Sequence, residues 1–298
     1  MDTADRLCLM TVHAHPDDEA SKGAATVAKL RAEGVKTVLV CCTGGEAGDI
    51  LNPAMESDDV RARLPEIRME ELRRSVDVIG YEELVLLGYR DSGMPGTEDN
   101  LNPACFAQAD LDEAVGRLVA EIRRHRPQVL VVYADDQSGY PHPDHLRVHE
   151  VGVAAFEAAG DPDRYPEAGE AWTPLKLYYS AWSRARVMAM HEKFIELGLE
   201  SPFDQDRLDR PDQDERITTR VDISEFADIR SHALLAHRTQ VDPESPMWFG
   251  LPPHEARRLH PYDDYILARS LLDPATPPDD AGGCEDDLFA GLRAPAQR

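Results

Sequence analysis

Several things are scarce in this chain of 298 residues, and each absence removes a class of protein. Basic side chains are few: 32 Lys and Arg face 56 Asp and Glu, for a net charge of −24. A surface of that sign repels phosphate backbones and anionic lipid headgroups, which argues against nucleic acid or membrane as the main partner. An anionic small molecule held by a few placed cations stays open. The cysteines are five, Cys8, Cys41, Cys42, Cys105 and Cys284, and none forms a Cys-x-x-Cys pair. That pattern offers neither a disulfide framework nor a cysteine metal site. Cys8, Cys41 and Cys42 fall in apolar runs and read as small core residues. No apolar run is long enough to span a bilayer. The N-terminus lacks the basic stretch and cleavage site of a secretory signal. A soluble cytoplasmic protein is the expectation.

What is present is an alternation of strand and helix patterns. Apolar, β-branched runs at 7–12, 37–42, 84–87 and 129–133 read as strands. Between them, 24–33, 58–80 and 111–125 have helical spacing, and 145–159 follows the last strand. This order predicts an α/β fold, a mostly parallel sheet with helices on both faces. A polar stretch at 160–173 closes the expected core of residues 1–160. Residues 161–298 form a smaller C-terminal α+β part packed on that core. It carries strands at 175–180 and 217–223, helices at 184–197 and from Ser224 to about residue 237, and an acidic surface loop at 200–215. The segment 241–253 is loop-like, with Met247, Trp248 and Phe249 lining a pocket or packing. Residues 262–272 read as a short helix. From about residue 273 the composition predicts a mobile tail, apart from Leu288, Phe289 and Leu292.

Two polar clusters interrupt this plan. Val12-His13-Ala14-His15-Pro16-Asp17-Asp18-Glu19 follows the first strand, and Gly139-Tyr140-Pro141-His142-Pro143-Asp144-His145 follows the fourth. Open α/β sheets place their sites outside the carboxyl ends of the strands, so the two clusters can converge. Packed His and Asp side chains are costly to bury without a partner, and a metal ion is the simplest one. His15, Asp18 and His145 supply two nitrogens and one oxygen, the three protein ligands of a catalytic zinc. Asp17 is then available as a general base toward water, although spacing alone does not decide between Asp17 and Asp18. His142, if protonated, stabilises an oxyanion or hands a proton to a leaving amine, with Asp144 orienting it. His13 reads as a core or supporting histidine, and His149 as a bystander. The loop Thr43-Gly44-Gly45-Glu46-Ala47-Gly48 lacks a phosphate-loop pattern and gives backbone room near a ligand.

The paired motifs resemble those of the LmbE-like, or PIG-L, family of zinc-dependent N-deacetylases. The resemblance implies a Rossmann-like core, with His15, Asp18 and His145 on Zn2+ or Fe2+, Asp17 as general base and His142 as electrostatic or acid catalyst. Further stretches, Ser21-Lys22-Gly23-Ala24-Ala25-Thr26, Ile50-Leu51-Asn52-Pro53-Ala54-Met55, Tyr89-Arg90-Asp91-Ser92-Gly93 and Ala236-His237-Arg238-Thr239-Gln240-Val241-Asp242-Pro243, are similar to the mycothiol S-conjugate amidase branch. That branch cleaves a thiol-sugar conjugate to glucosaminyl-inositol and a mercapturate, a detoxification reaction. The likeness implies substrate contacts from Lys22, Glu46, Arg68 and Asp91, and from Tyr140 of the second motif. For Arg68 the plain alternative is a surface ion pair on a helix. The run Asp135-Asp136-Gln137-Ser138-Gly139, the segment 204–215 and the tail depart from the branch pattern.

Rival readings are an N-acetylglucosaminyl-inositol deacetylase and a paralogue trimming a mycothiol adduct of a biosynthetic intermediate. A non-haem iron oxygenase shares the two-His, one-carboxylate set but favours a different, all-β fold. A non-catalytic binding module has little use for Asp17 and His142 beside a complete ligand set. A homo-oligomer is compatible with all of these.

Overall fold

The computed structural model describes residues 6–137, 139–210, 213–272 and 283–293. Strands β1 (Cys8–His13), β2 (Lys36–Thr43), β3 (Glu83–Tyr89), β4 (Val129–Tyr133) and β5 (Lys176–Ala181) lie parallel in the order β3-β2-β1-β4-β5. β6 (Thr219–Asp222) and β7 (Tyr262–Ser270) continue the same sheet, β7 antiparallel to both β5 and β6. All six residues of β1 and all five of β4 are buried, as strands covered on both faces must be. Alternate side chains serve two cores. Met10, Val12, Val38, Val40, Leu130 and Val132 pack on one face. Leu9, Leu39, Cys41, Val129 and Val131 pack on the other.

The helices that matter for the site are α1 (Asp18–Ser21), α2 (Ala24–Ala32), α3 (Asp58–Ala62), α4 (Leu64–Ile79), α5 (Leu111–His125), α6 (Pro143–Ala158), α7 (Arg184–Glu196), α8 (Gln205–Leu208) and α9 (Ala227–Ala236). α5 and α6 cover the first core; α2, α4 and α9 cover the second. Among the described residues no helix is long and apolar enough to cross a membrane.

The expected single helix over 58–80 is two. Arg63 leaves helical geometry (φ −113°, ψ 13°) just before Leu64-Pro65. Pro65 lacks the N–H that would donate back to Arg61 O and its ring crowds that carbonyl, so the ladder of α3 stops and Pro65 sits in the first turn of a new helix. The expected helix over 262–272 is instead strand β7. Its backbone pairs with β5 and β6, so tertiary pairing overrides an ambiguous local pattern. The tail expected to be mobile lies partly, at 273–282 and 294–298, outside the described residues. Leu288 and Phe289 are fully buried, and Glu285 accepts hydrogen bonds from Lys176 Nζ at 2.9 and 3.0 Å and from Thr219 Oγ1 at 3.0 Å.

The chain leaves β1 for β2 and β3 on one side and returns through β4 to β5 on the other. The strand order therefore switches between β1 and β4, where such sheets open a crevice at their carboxyl ends. His15 and Asp18 follow β1, and His142 and His145 follow β4.

Candidate active site

The segment after β1 turns sharply at Asp17, whose φ is 109°. A non-glycine residue there carries strain of order 1–3 kcal/mol and persists only where its surroundings hold it. Two groups do so. The Asp17 N–H donates to Glu19 Oε2 at 2.9 Å, and Arg68 Nη2 donates to Asp17 Oδ2 at 3.0 Å. Arg68 also donates to Gly45 O at 2.5 Å and Pro16 O at 2.7 Å. It is 3% exposed, so it is no surface ion pair but a buried clamp between two loops. A Cβ on Gly45 (φ +69°) would stand 2.3 Å from the guanidinium, so the glycine loop makes room for Arg68. Glu19 is buried and accepts from Ser75 Oγ at 2.5 Å and His237 Nε2 at 2.6 Å.

Beyond this turn, Asp18 Oδ2 lies 3.4 Å from both His15 Nδ1 and His145 Nε2. That is long for a charge-assisted hydrogen bond. It is close to the roughly 3.4 Å that separates two donors bound to one tetrahedral zinc at about 2.1 Å. The other face of His15 meets carboxylates too, Asp144 Oδ2 at 3.1 Å and Asp91 Oδ1 at 3.5 Å from Nε2. A carboxylate behind a histidine fixes its ring and tautomer toward a metal. Burial alone would lower the His15 pKa, yet hydrogen bonds to the carboxylates of Asp144, Asp18 and Asp91 carry it well above the usual value. The site thus has surplus negative charge around a donor set suited to a cation. A second cluster, His15, Asp91, His142 and Asp144, also brings ligand atoms together.

Asp144 was expected to orient His142. Its carboxylate is instead engaged by His15 Nε2, by the Ser92 N–H at 2.9 Å and by the Ser92 hydroxyl. His142 caps α6: its Nδ1 accepts from the Asp144 N–H at 3.2 Å. Burial and the charge on His15 push the His142 pKa down to about 4. A neutral ring accepting at Nδ1 carries its proton on Nε2.

These groups open into a cavity of about 750 Å³, lined by His15, Asp17, Asp18, Lys22, Asp91 and Tyr140 among others. The PIG-L model, described as GlcNAc-PI de-N-acetylase, matches residues 10–156. A Mycothiol S-conjugate amidase of Streptomyces coelicolor is 45% identical over 300 residues, 97% of this chain and 98% of the relative. The chain belongs to the PIG-L family. A 1D-myo-inositol 2-acetamido-2-deoxy-alpha-D-glucopyranoside deacetylase of Geodermatophilus obscurus is 40% identical over 95% of this chain and 97% of its own. The N,N'-diacetylchitobiose deacetylase of Pyrococcus horikoshii shares the fold, with a TM-score of 0.61 at 16% identity over 89% of this chain and 84% of its own. PIG-L deacetylases are metalloenzymes, and this member carries a His/Asp/His cluster able to hold a metal. It is a hydrolase of that family.

Within this PIG-L site the remaining expected residues divide. Lys22 Nζ pairs with Asp18 Oδ1 and lies 5.3 Å from the Tyr133 ring centroid. Tyr140, 55% exposed, stacks on His142. Asp91 lines the cavity while its oxygens accept from Gly93 N at 2.8 Å and Ala47 N at 3.3 Å. Glu46 turns its carboxylate to the Asp91 N–H at 3.0 Å and is not brought to the lining. His13 is buried beside Tyr133, and His149 Nδ1 lies 3.1 Å from Tyr133 O; neither joins the ligand clusters.

Other residues escaped the sequence reading. Tyr133, at the end of β4, accepts the Ala14 N–H at 3.0 Å and so ties the two motif loops together. The far wall of the cavity includes Trp182, Arg184, Arg207, Arg210, Met247 and Trp248. Arg207 and Arg210 come from the segment expected to be an acidic surface loop. Among the described residues Asp206 and Asp209 are exposed, Asp204 caps α8 and Asp214 accepts the N–H groups that begin α7, while both arginines turn in.

Proposed function

We propose that this hydrolase cleaves the amide of mycothiol S-conjugates, releasing glucosaminyl-inositol and an N-acetylcysteine S-conjugate. The observation that carries this reading is the 45% identity to the Streptomyces coelicolor amidase across nearly both whole chains. The cavity of about 750 Å³ supports it, because an acetyl group needs far less room on the acyl side of the bond.

His15, Asp18 and His145 would hold zinc, with Fe2+ compatible with the same donors. When bound, zinc supplies a Lewis acid that polarises the carbonyl and makes water acidic near neutral pH. Asp17 takes the proton of the attacking water. Burial raises its pKa and the Arg68 charge opposes this, leaving a carboxylate more basic than usual. His142 donates from Nε2 to the oxygen of the tetrahedral adduct. The proton on Asp17 then passes to the leaving glucosamine nitrogen as the C–N bond breaks. Asp144 keeps His15 oriented. Lys22, Asp91 and Tyr140 face the sugar hydroxyls, while Glu46 and Arg68 act on substrate only through the loops they hold.

The second reading, removal of acetyl from N-acetylglucosaminyl-inositol, is favoured by the deacetylase relative at 40% identity. Side-by-side hydrolysis by zinc-loaded protein separates the two. Faster release of amine from the mycothiol conjugate is expected; faster release from the acetyl sugar would hand the assignment to the deacetylase.

A further inference from the structure

The two sides of the cavity differ in charge. Asp17, Asp18, Asp49 and Asp91 line the side formed after β1, β2 and β3, where the cations Arg68 and Lys22 are already paired with Asp17 and Asp18. Arg184, Arg207 and Arg210 line the other. In a chain with 56 acids against 32 bases, cations without acid partners are unexpected in a cavity wall. Yet among the described residues none of these three guanidiniums has a carboxylate partner. Arg184 donates to the carbonyls of Leu208 and Arg210, the latter at 3.1 Å. Arg210 donates to Gly139 O at 3.0 Å. Arg207 has a buried Nε with no hydrogen-bond partner, and its guanidinium lies 6.0 Å from the Trp182 ring centroid. Burial and the neighbouring Arg210 charge hold the Arg207 pKa below the usual guanidinium value. The acids on this wall are already engaged. Asp136 accepts from Gln213 Nε2, and Asp214 accepts the N–H groups of Arg184 at 2.7 Å and Ala185 at 2.8 Å.

Beside the arginines the wall is apolar. Trp182 and Trp248 meet edge to face, with centroids 5.9 Å apart, and Met247 and Val187 adjoin them. Resting on the amidase reading, we propose that this wall binds the group carried on the conjugate's sulfur, and that it selects an S-substituent that is apolar at its root and carries a carboxylate at its tip. For these half-buried guanidiniums a carboxylate is a stronger partner than the uncharged hydroxyls of glucosaminyl-inositol. Those hydroxyls match the carboxylates of the opposite side. Arginine is weakly hydrated and forks onto a carboxylate in two hydrogen bonds, so such a wall rewards an anion. The amide at the metal end then sends one arm to each side.

The test compares two mycothiol conjugates of similar size, S-benzyl and S-(4-carboxybenzyl), on zinc-loaded protein. Expected is a kcat/KM roughly tenfold or more higher for the carboxybenzyl conjugate, the scale of one charge-assisted hydrogen bond, carried by KM and reduced in high salt. In the double variant Arg207→Gln, Arg210→Gln the ratio falls to near one, and in Arg207→Glu it inverts. Both conjugates are run on the same preparation, so a loss of folded protein cancels from the ratio. A ratio near one in the unaltered protein, or a preference that survives the double substitution, overturns the inference and leaves the amidase reading standing. Turnover of neither conjugate beside hydrolysis of the acetyl sugar removes that reading, and this inference with it.

Discussion

The metal end of the cavity and its arginine wall are built on opposite terms. At the metal end protein groups hold one another: Arg68 holds Asp17, Lys22 holds Asp18, Asp144 holds His15 and His237 holds Glu19. The groups held, His15, Asp17, Asp18 and Glu19, follow the carboxyl end of the fully buried β1, while their holders come from α1, α4, α6 and the end of α9. On the arginine wall, carried by the segments after β5 and before β6, Arg184 and Arg210 donate to carbonyls and Arg207 lies against the Trp182 ring, with no carboxylate in ion-pair reach among the described residues. Reacting groups gain from partners that fix them before substrate arrives. Recognition gains from groups whose best partner is the ligand. One cavity thus separates pre-organised chemistry from binding capacity left for what enters.

The contrast is broken most completely at the metal end. His145→Ala should lose bound metal, read by elemental analysis, and with it essentially all hydrolysis; full metal content in that variant would remove His145 from the ligand set. Asp17→Asn should keep the metal and still lose activity by roughly 10²–10⁴-fold, the usual contribution of a general base. A variant within a few-fold of the unaltered rate would show that another group takes the proton.

The next effect is on stability as well as rate. Arg68→Ala leaves Pro16 O, Gly45 O and the Asp17 carboxylate without their shared donor. Losing one partner of a buried, charged network costs about 3 kcal/mol or more. Denaturant unfolding should show that loss, together with a fall in activity, because Asp17 at φ 109° loses its clamp. Arg207→Gln, on the other wall, should change stability by no more than about 0.5 kcal/mol. Equal destabilisation by both would mean that the arginine wall is as structural as the metal end.

These two regions were also unequally legible in the sequence. His15, Asp18, His142 and His145 sit within short motifs just after apolar runs, so strand ends bring them together by topology alone. The partners that hold them lie far away in the chain. Glu19 and His237 are 218 residues apart, and nothing in local pattern joins them. Arg68 lies in a charge-rich helix where most neighbours are solvated, and its burial depends on Gly45 leaving space across the fold. The segment 204–215 reads as acidic because its net charge is negative, yet composition does not say which side chains turn inward. Residues 262–272 read locally as helix because the pattern of β7 is ambiguous until β5 and β6 pair with it.

The smallest effect, and the finest test of how the metal end is held, concerns His237 and Glu19. Both are fully buried, 2.6 Å apart. Burial would lower the His237 pKa, but the Glu19 charge and hydrogen bond raise it above the usual value. Burial would raise the Glu19 pKa, but the His237 charge, with hydrogen bonds from His237, Ser75 and Asp17, lowers it. A histidine whose folded pKa is raised adds stability that is complete below its unfolded value of about 6.5 and fades as pH rises through the folded value. A carboxylate whose folded pKa is lowered adds stability that is present above its unfolded value of about 4.3 and fades as pH falls through the folded value. The pair therefore contributes most near pH 5–6. His237→Gln keeps a neutral donor to Glu19 but removes the charge. Its melting temperature should fall below that of the unaltered protein by a gap on the order of a few degrees near pH 6. The gap should narrow steadily toward alkaline pH. A gap constant with pH would mean that His237 holds Glu19, and through it the Asp17 turn, as a neutral hydrogen-bond donor rather than as a cation.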